Sequence, residues 1–293
     1  MKKPSIGIVG LGYVGSAVRN AYGRKTLPGK VYIYDIDPSK THWSAVRCSS
    51  LNELAAQAEL IYIAVPTPMM LSGECDTSIV ESVIEQLTQH TSPRVLIIKS
   101  TVPPGTTERL QAKYPSHHIF FSPEFLTEAN YLNDYLDQNL LILGAPERTP
   151  FVLSNAVLEE QASVLDHVKK HIVVSSTTAE MFKYMANVFL ATKVTFANEM
   201  FDVANAVGAN WDDLQLLLTS DSRLGKTHWK VPGPDGHRGF GGSCFPKDIS
   251  ALIEVANAHG VTIPLINAVQ ARNVLIDRPE RDWEQLKGRA VVE

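Results

Sequence analysis

Apolar residues recur along this chain in two rhythms. Short runs read as buried strands: Ser5 to Val9, Val31-Tyr32-Ile33-Tyr34-Asp35, Leu60 to Val65, Val95 to Lys99, Ile119 to Phe121 and Leu140 to Gly144. Helical or irregular segments separate them, one a helix from Thr149 to His167, and a strand-like Ile172-Val173-Val174 follows. Strands alternating with helices predict a doubly wound parallel sheet, whose ligands lie beyond the carboxyl ends of the strands. The rhythm then changes. Nothing from Thr178 to Val207 is glycine or proline, and apolar positions recur through Met181, Tyr184, Met185, Val188 and Phe196, so one long helix is predicted. Thr177 and Glu180 match a capping box at its start, and Gly208 suits its stop. At 1.5 Å per residue it spans roughly 45 Å, enough to bridge two domains and offer a dimer surface. Shorter helices are expected at Trp211 to Thr219, after Pro246, and from Pro264 onward, which makes the second half all-α.

The first strand runs into Gly10-Leu11-Gly12-Tyr13-Val14-Gly15 and then a helix through Ala17, Val18 and Ala21. Glycines there permit a tight turn, close approach of a pyrophosphate and close helix packing, with the helix N-terminus facing the negative charge. The next strand ends in Asp35, 20 residues beyond Gly15, where a carboxylate accepts hydrogen bonds from a ribose and repels a 2′-phosphate. The expected cofactor is therefore NAD. The expected architecture is an N-terminal Rossmann-type doubly wound domain, residues 1–176, followed by an all-α domain, residues 177–293, built on a long central dimerisation helix.

Three strand ends supply candidate site walls. Thr67, in Pro66-Thr67-Pro68, and Thr101, ahead of Pro103-Pro104-Gly105, offer hydroxyls on stiff backbone, either as turn chemistry or toward a nicotinamide ribose. Ser122-Pro123 reads as a helix start, which sets Glu124 and Glu128 four apart on one helical face. In the second half, Lys183 and Asn187 share a face of the long helix. A lone lysine there either snorkels to solvent or serves a site. Gly239-Phe240-Gly241-Gly242-Ser243-Cys244-Phe245-Pro246-Lys247-Asp248 delivers a cysteine to a helix start, where the dipole and Lys247 favour a thiolate. The bland alternative is a buried structural cysteine.

Composition narrows the partners. The 293 residues are 44% hydrophobic and 20% charged with a net charge of −4, and no basic run points to nucleic acid. No apolar stretch has membrane-spanning length, and Met1-Lys2-Lys3-Pro4 leads straight into a strand, so a cytoplasmic protein is expected. Cys48, Cys75 and Cys244 lack paired-ligand spacing, so neither a disulfide framework nor a metal site is expected.

With Gly10 to Gly15, Ser122-Pro123-Glu124-Phe125-Leu126, Lys183-Tyr184-Met185-Ala186-Asn187 and Gly239 to Asp248 in view, the chain resembles the UDP-glucose 6-dehydrogenase family over essentially its whole length. That resemblance implies NAD-dependent, two-step oxidation of a UDP-sugar C6 alcohol to a carboxylate, through a thiohemiacetal and a thioester on Cys244. It implies that Lys183 and Asp248 manage the oxyanion and the water, and that Asn187 positions the oxygen. Glu124, Glu128 and Thr101 match the residues lining the water and nicotinamide side. Further cofactor contacts implied are Tyr13, Val14, Thr67 and Lys247, and further sugar-nucleotide contacts are Phe125, Leu126, Phe240 and Gly241. Arg223 matches an arginine that reaches a neighbouring subunit's substrate, which implies a homodimer. Typical members continue into a C-terminal UDP-binding domain that this chain is expected to lack, and Glu128-Ala129 stands where they have glutamate-glycine. The alternatives are a GDP-mannose or UDP-N-acetylhexosamine 6-dehydrogenase, a 3-hydroxyacid dehydrogenase that releases one hydride per substrate, and an NAD-binding non-enzyme.

Overall fold

The structure, a computed structural model, describes residues 3–25, 31–165 and 167–292. Its backbone divides into two compact units, one formed by residues up to 67 with 77–183 and the other by 68–76 with 184 onward.

The first unit holds the sheet. Its strands are β1 (Ile6–Val9), β2 (Val31–Tyr34), β3 (Val46–Arg47), β4 (Leu60–Ile63), β5 (Val95–Ile98), β6 (His118–Phe121), β7 (Leu140–Ala145) and β8 (Lys170–Ser175), in the order β3-β2-β1-β4-β5-β6-β7-β8. Pairing from β3 through β6 is parallel, with Ile6 opposite both Val31 and Leu60. Alternation on the strands decides which face each side chain meets. Ile6, Ile8, Ile33, Leu60, Tyr62, Ile97 and Phe120 pack against α1 (Tyr13–Lys25), α5 (Tyr131–Leu136) and α6 (Phe151–Ala162). Val9, Ile61, Ile63, Leu96, Ile98, Ile119 and Phe121 pack against α2 (Leu51–Gln57), α3 (Ser78–Leu87) and α4 (Thr106–Lys113). Each fully buried Ile or Phe contributes about 1.5–3 kcal/mol, so both helical layers are firmly seated. The doubly wound sheet expected from the sequence is present, with one departure: β7 runs antiparallel to β6, pairing Phe121 with Gly144. Antiparallel neighbours need no crossover, so residues 122–139 leave and re-enter at one end of the sheet.

The helix expected over 149–167 spans Phe151–Ala162, and residue 166 lies outside the described residues. Strand β3 has two residues and no periodic signal.

The long helix α7 runs Ser176–Val207, 32 residues or about 48 Å, beginning in the first unit and continuing into the second. Gly208 ends it at φ 74° and Ala209 N donates to Ala204 O, a left-handed stop that glycine adopts without penalty. Its start differs from the expected capping box. Ser175 Oγ accepts from Thr178 N, and Glu180 instead crosses to α4, accepting from Gly105 N, Thr107 N and Thr107 Oγ at 2.6–2.8 Å. Orphan N–H groups at a helix start attract a carboxylate, and those of α4 outcompete the local ones.

The second unit adds α8 (Trp211–Ser220), α9 (Phe245–Ala258), α10 (Pro264–Arg272), a wide π-type turn at Asn273–Asp277 and a tight turn at Asp282–Gln285. Ala197, Ala204, Trp211, Trp229 and Val231 form a small core there. The segment 68–76 joins this unit through Met69, whose N–H donates to Ala290 O and whose carbonyl accepts from Val292 N. Among the described residues, no helix is long and apolar enough to cross a membrane.

Candidate active site

The glycine turn is built as the sequence requires. Gly10 has φ 85°, and a Cβ on Gly15 would sit 1.8 Å from Gly10 O, so neither position admits a side chain. A Cβ on Gly12 would meet nothing within 4 Å, which leaves that peptide open to a ligand at the N-terminus of α1. Asp35, following β2, accepts from Leu11 N at 2.6 Å and from Asp37 N at 2.9 Å, tying the acid to the glycine turn. Tyr13 is exposed with its ring 5.1 Å from that of Tyr131, and Val14 is half-buried. These residues fit a dinucleotide: an open main-chain cradle, a helix start and an acid held beside it. Thr67 and Thr101 are both buried, following β4 and β5.

A second polar cluster in the same unit centres on Glu124. The helical face expected to carry Glu124 and Glu128 is absent, because residues 122–127 are irregular and α5 begins only at Tyr131. Two lysines explain the difference. Lys183 Nζ donates to Glu124 O at 2.6 Å and to its Oε1 at 3.0 Å, while Lys99 Nζ donates to Pro123 O and Ser122 Oγ at 3.2 Å. Those carbonyls would have accepted the first helical bonds. Leu126 N closes on Glu124 Oε2 at 2.8 Å, and Glu128 is exposed in the following turn. Burial works to raise the Glu124 carboxyl, but the Lys183 ammonium, the Leu126 N–H and the Lys99 charge together hold it below the usual carboxylate range. Lys183 is thus buried and paired rather than extended to solvent, and the Phe125 ring lies 5.1 Å from its Nζ. Leu126 is half-buried beside them.

The third cluster belongs to the second unit. Cys244 is the N-cap of α9, followed by Pro246 in the first turn, and Ser243 Oγ stands 3.8 Å from its sulfur. Asp248, fully buried, receives Lys247 Nζ at 2.5 Å and Asn187 Nδ2 at 2.5 Å. Burial works to lower the Lys247 ammonium, yet Asp248, then the sulfurs of Cys244 and Cys75, hold it above the usual lysine range. A cation that stays charged beside the thiol supports negative charge on sulfur.

The loop leading to Cys244 is clasped by residues that sequence reading had not singled out. Asn273 Oδ1 accepts from Phe240 N at 2.8 Å, and its Nδ2 donates to Phe240 O at 2.9 Å. Asn198 Oδ1 accepts from Gly239 N at 3.3 Å. Gly241 lies against the Arg278 guanidinium, which a Cβ would meet at 2.6 Å and which Asp235 and Asp282 hold at 2.6 Å. Phe240 is buried with its ring edge toward Phe245. A polar residue at an apolar-periodic position, as at Asn273 within Val269–Ile276, was the available signal.

Arg223 is not drawn into this cluster. Its side chain is 85% exposed and forks onto Asp221 at 2.6–3.1 Å. Along α7, Met185, Phe189, Phe196, Val203 and Val207 are exposed at spacings of four and seven, an apolar stripe on one side of the helix. Among the described residues, no group of three or more His, Cys, Asp or Glu could hold a metal ion.

A dinucleotide-type sheet with an acid-tipped second strand, joined to a helical unit that caps a helix with cysteine, defines a Rossmann-type nucleotide-binding fold. Comparison with known proteins is more specific. Residues 44–162 match the NAD binding domain of the UDP-glucose/GDP-mannose dehydrogenase family, and residues 177–274 match its central domain. The chain is 30% identical over 99% of its length to the UDP-glucose 6-dehydrogenase TuaD of Bacillus subtilis, covering 68% of that protein. It is 36% identical to the UDP-glucose 6-dehydrogenase of Rickettsia felis, with 76% of this chain and 49% of that protein aligned. A UDP-glucose dehydrogenase structure from Pyrobaculum islandicum superposes with a TM-score of 0.81 at 27% identity, covering 93% of this chain and 68% of that one. The chain belongs to the UDP-glucose/GDP-mannose dehydrogenase family. It spans about half the length of several curated relatives it matches.

Proposed function

We propose that the chain acts as a UDP-glucose 6-dehydrogenase, oxidising the sugar's C6 alcohol to the carboxylate in two NAD-dependent steps. The observation that carries this reading is Cys244 at the start of α9, beside a lysine that Asp248 holds charged. The Gly10–Gly15 turn and Asp35 would hold NAD and its ribose, and NAD would supply the two-electron acceptor for each oxidation. Between the oxidations the Cys244 thiolate adds to the C6 aldehyde, forming a C–S bond while the carbonyl oxygen takes a proton. Asn187, fixed by its hydrogen bond to Asp248, positions that oxygen, and Lys247 and Asp248 balance the charge. After the second oxidation the carbon is a thioester. Glu124, held ionised by Lys183, takes a proton from water; the oxygen adds, the C–S bond breaks and the thiolate leaves. Thr67, Thr101, Glu128, Phe125, Leu126, Phe240 and Gly241 are assigned the contacts implied by the family resemblance.

We further assign the exposed apolar stripe of α7 to a homodimer interface, with Arg223, exposed and paired only locally, donated to the partner's substrate. The reaction is placed in the cytoplasm, where both the dinucleotide and the sugar nucleotide are available. The test is turnover by purified protein with UDP-glucose and NAD, counting two NADH per sugar, and no carboxylate from Cys244→Ser. One NADH per substrate points to a hydroxyacid dehydrogenase. Faster turnover of GDP-mannose or a UDP-N-acetylhexosamine reassigns the sugar, and NAD binding without turnover of any of them leaves a binding protein.

A further inference from the structure

Lys99 follows the apolar strand β5 and is 2% exposed, yet the reaction as described does not use it. Its ammonium donates to neutral acceptors, Ser122 Oγ and Pro123 O, with the Tyr135 ring 5.7 Å away. A buried charge whose direct contacts are neutral is costly, and an apolar side chain of the same length would serve packing better. Three groups from three elements face it: Glu124 from the loop after β6, Lys183 from α7 and Tyr135 from α5. Glu124 attracts the charge, and Lys183 repels it.

We propose that Lys99 is a positioning residue: it shapes the Ser122–Glu124 turn through two hydrogen bonds and supplies a second cation that sets the basicity of Glu124. The proposal rests on the role given to Glu124 in thioester hydrolysis. Burial pulls the Lys99 ammonium down to about 7, with Glu124 working against that and Lys183 adding to it. Around neutrality, therefore, Lys99 passes between charged and neutral. While charged it makes Glu124 a weaker base; once neutral it leaves Lys183 as the remaining cation on that carboxylate, and Glu124 takes a proton from water more readily. The rate of the hydrolytic step then rises through neutral pH as Lys99 loses its proton.

The experiment follows the carboxyl carbon of Glu124 by NMR in protein carrying labelled glutamate, with the signal assigned through Glu124→Gln. In the unmutated protein the signal should show its main inflection on the acid side and a second, smaller one near pH 7. Lys99→Gln, which keeps a donor without the charge, should abolish the second inflection and move the main one up by about half a pH unit or more. Lys99→Arg, which keeps the charge throughout, should abolish the second and leave the main one in place. In steady-state kinetics Lys99→Gln should lose the neutral inflection in kcat while KM for NAD and sugar nucleotide stays within about twofold. A Glu124 signal without a neutral inflection in the unmutated protein, or one that titrates identically in all three proteins, would overturn the proposal. The carboxyl titration is read without turnover, so an inactive protein would defeat the assigned reaction and leave Lys99 still under test. If Lys99→Gln fails to fold, the unmutated protein and Lys99→Arg still decide the matter.

Discussion

Replacing Asn273 with alanine tests how the cysteine loop is held. Asn273 is 1% exposed, and it satisfies both the N–H and the C=O of Phe240, at 2.8 and 2.9 Å. Alanine leaves two buried main-chain groups unpaired at about 1–3 kcal/mol each, so Asn273→Ala should lose about 2–6 kcal/mol, toward the lower end where water enters the loop. Asn273→Asp keeps an acceptor for Phe240 N but turns a carboxylate oxygen toward Phe240 O and buries a charge, so it should lose at least as much. Tryptophan fluorescence during urea unfolding reads the right part of the molecule, because Trp211, Trp229 and Trp283 are buried in the second unit whereas Trp43 is 89% exposed in the first. With a slope of about 1–3 kcal/mol per molar urea, even 2 kcal/mol moves the midpoint by about 1 M. Alkylation of Cys244 by iodoacetamide should change rate in parallel, since Phe240 lies four residues before the thiol. A midpoint within about 0.3 M of the unmutated protein together with unchanged alkylation would refute the claim that this side chain organises the loop.

Asp35→Ala should weaken NAD binding and narrow the gap to NADP, read by fluorescence titration of both; unchanged NAD affinity with continued rejection of NADP would remove Asp35 from the ribose site. Arg223→Ala should lose about ten- to a hundredfold in sugar-nucleotide affinity, and mixing it with Cys244→Ser protein should restore activity. Verified subunit exchange without recovered activity would show that Arg223 does not act across subunits. Lys99 titrates at about 7 folded against an ordinary 10.5, so the unfolded chain binds more protons between those values and this group's contribution to stability rises with pH across that window. Lys99→Met should remove that rise and stabilise the protein at pH 6; equal slopes of melting temperature against pH in the two proteins would contradict a buried, titrating Lys99.

Local patterns were the legible ones. The glycine turn, the span of α7 and the helix start at Cys244 each rest on neighbours a few residues apart, Asp35 rests on its fixed spacing of 20 residues from Gly15, and the structure builds all of them. Ser122-Pro123-Glu124 reads as a helix start for the same local reason, but lysines 24 and 59 residues away take its carbonyls. Glu180 has the spacing of a capping box, yet the unsatisfied N–H groups of α4, 73 and 75 residues away, are what it joins. The antiparallel turn into β7 and the clasp of Asn273 on Phe240 likewise depend on partners distant in sequence, and no periodicity announces them.

The Met69 pairing has a consequence for how the chain comes to be folded. Met69 N bonds to Ala290 O and Val292 N bonds to Met69 O, closing a loop of about 220 residues. As the ribosome releases the chain from its N-terminus, residues 68–76 emerge early and have only their own hydrogen bonds, such as Met70 N to Glu74 O and Asp76 N to Pro68 O, until almost everything else described has been made. Their bonds to Ala290 and Val292 must wait, with Met70, Leu71 and Cys75 in the waiting segment, until residues 290–292 are made. Expression fragments cut at residue 184 would separate this segment from its partners, so the second unit is better produced with residues 68–76 grafted on than as a simple C-terminal piece.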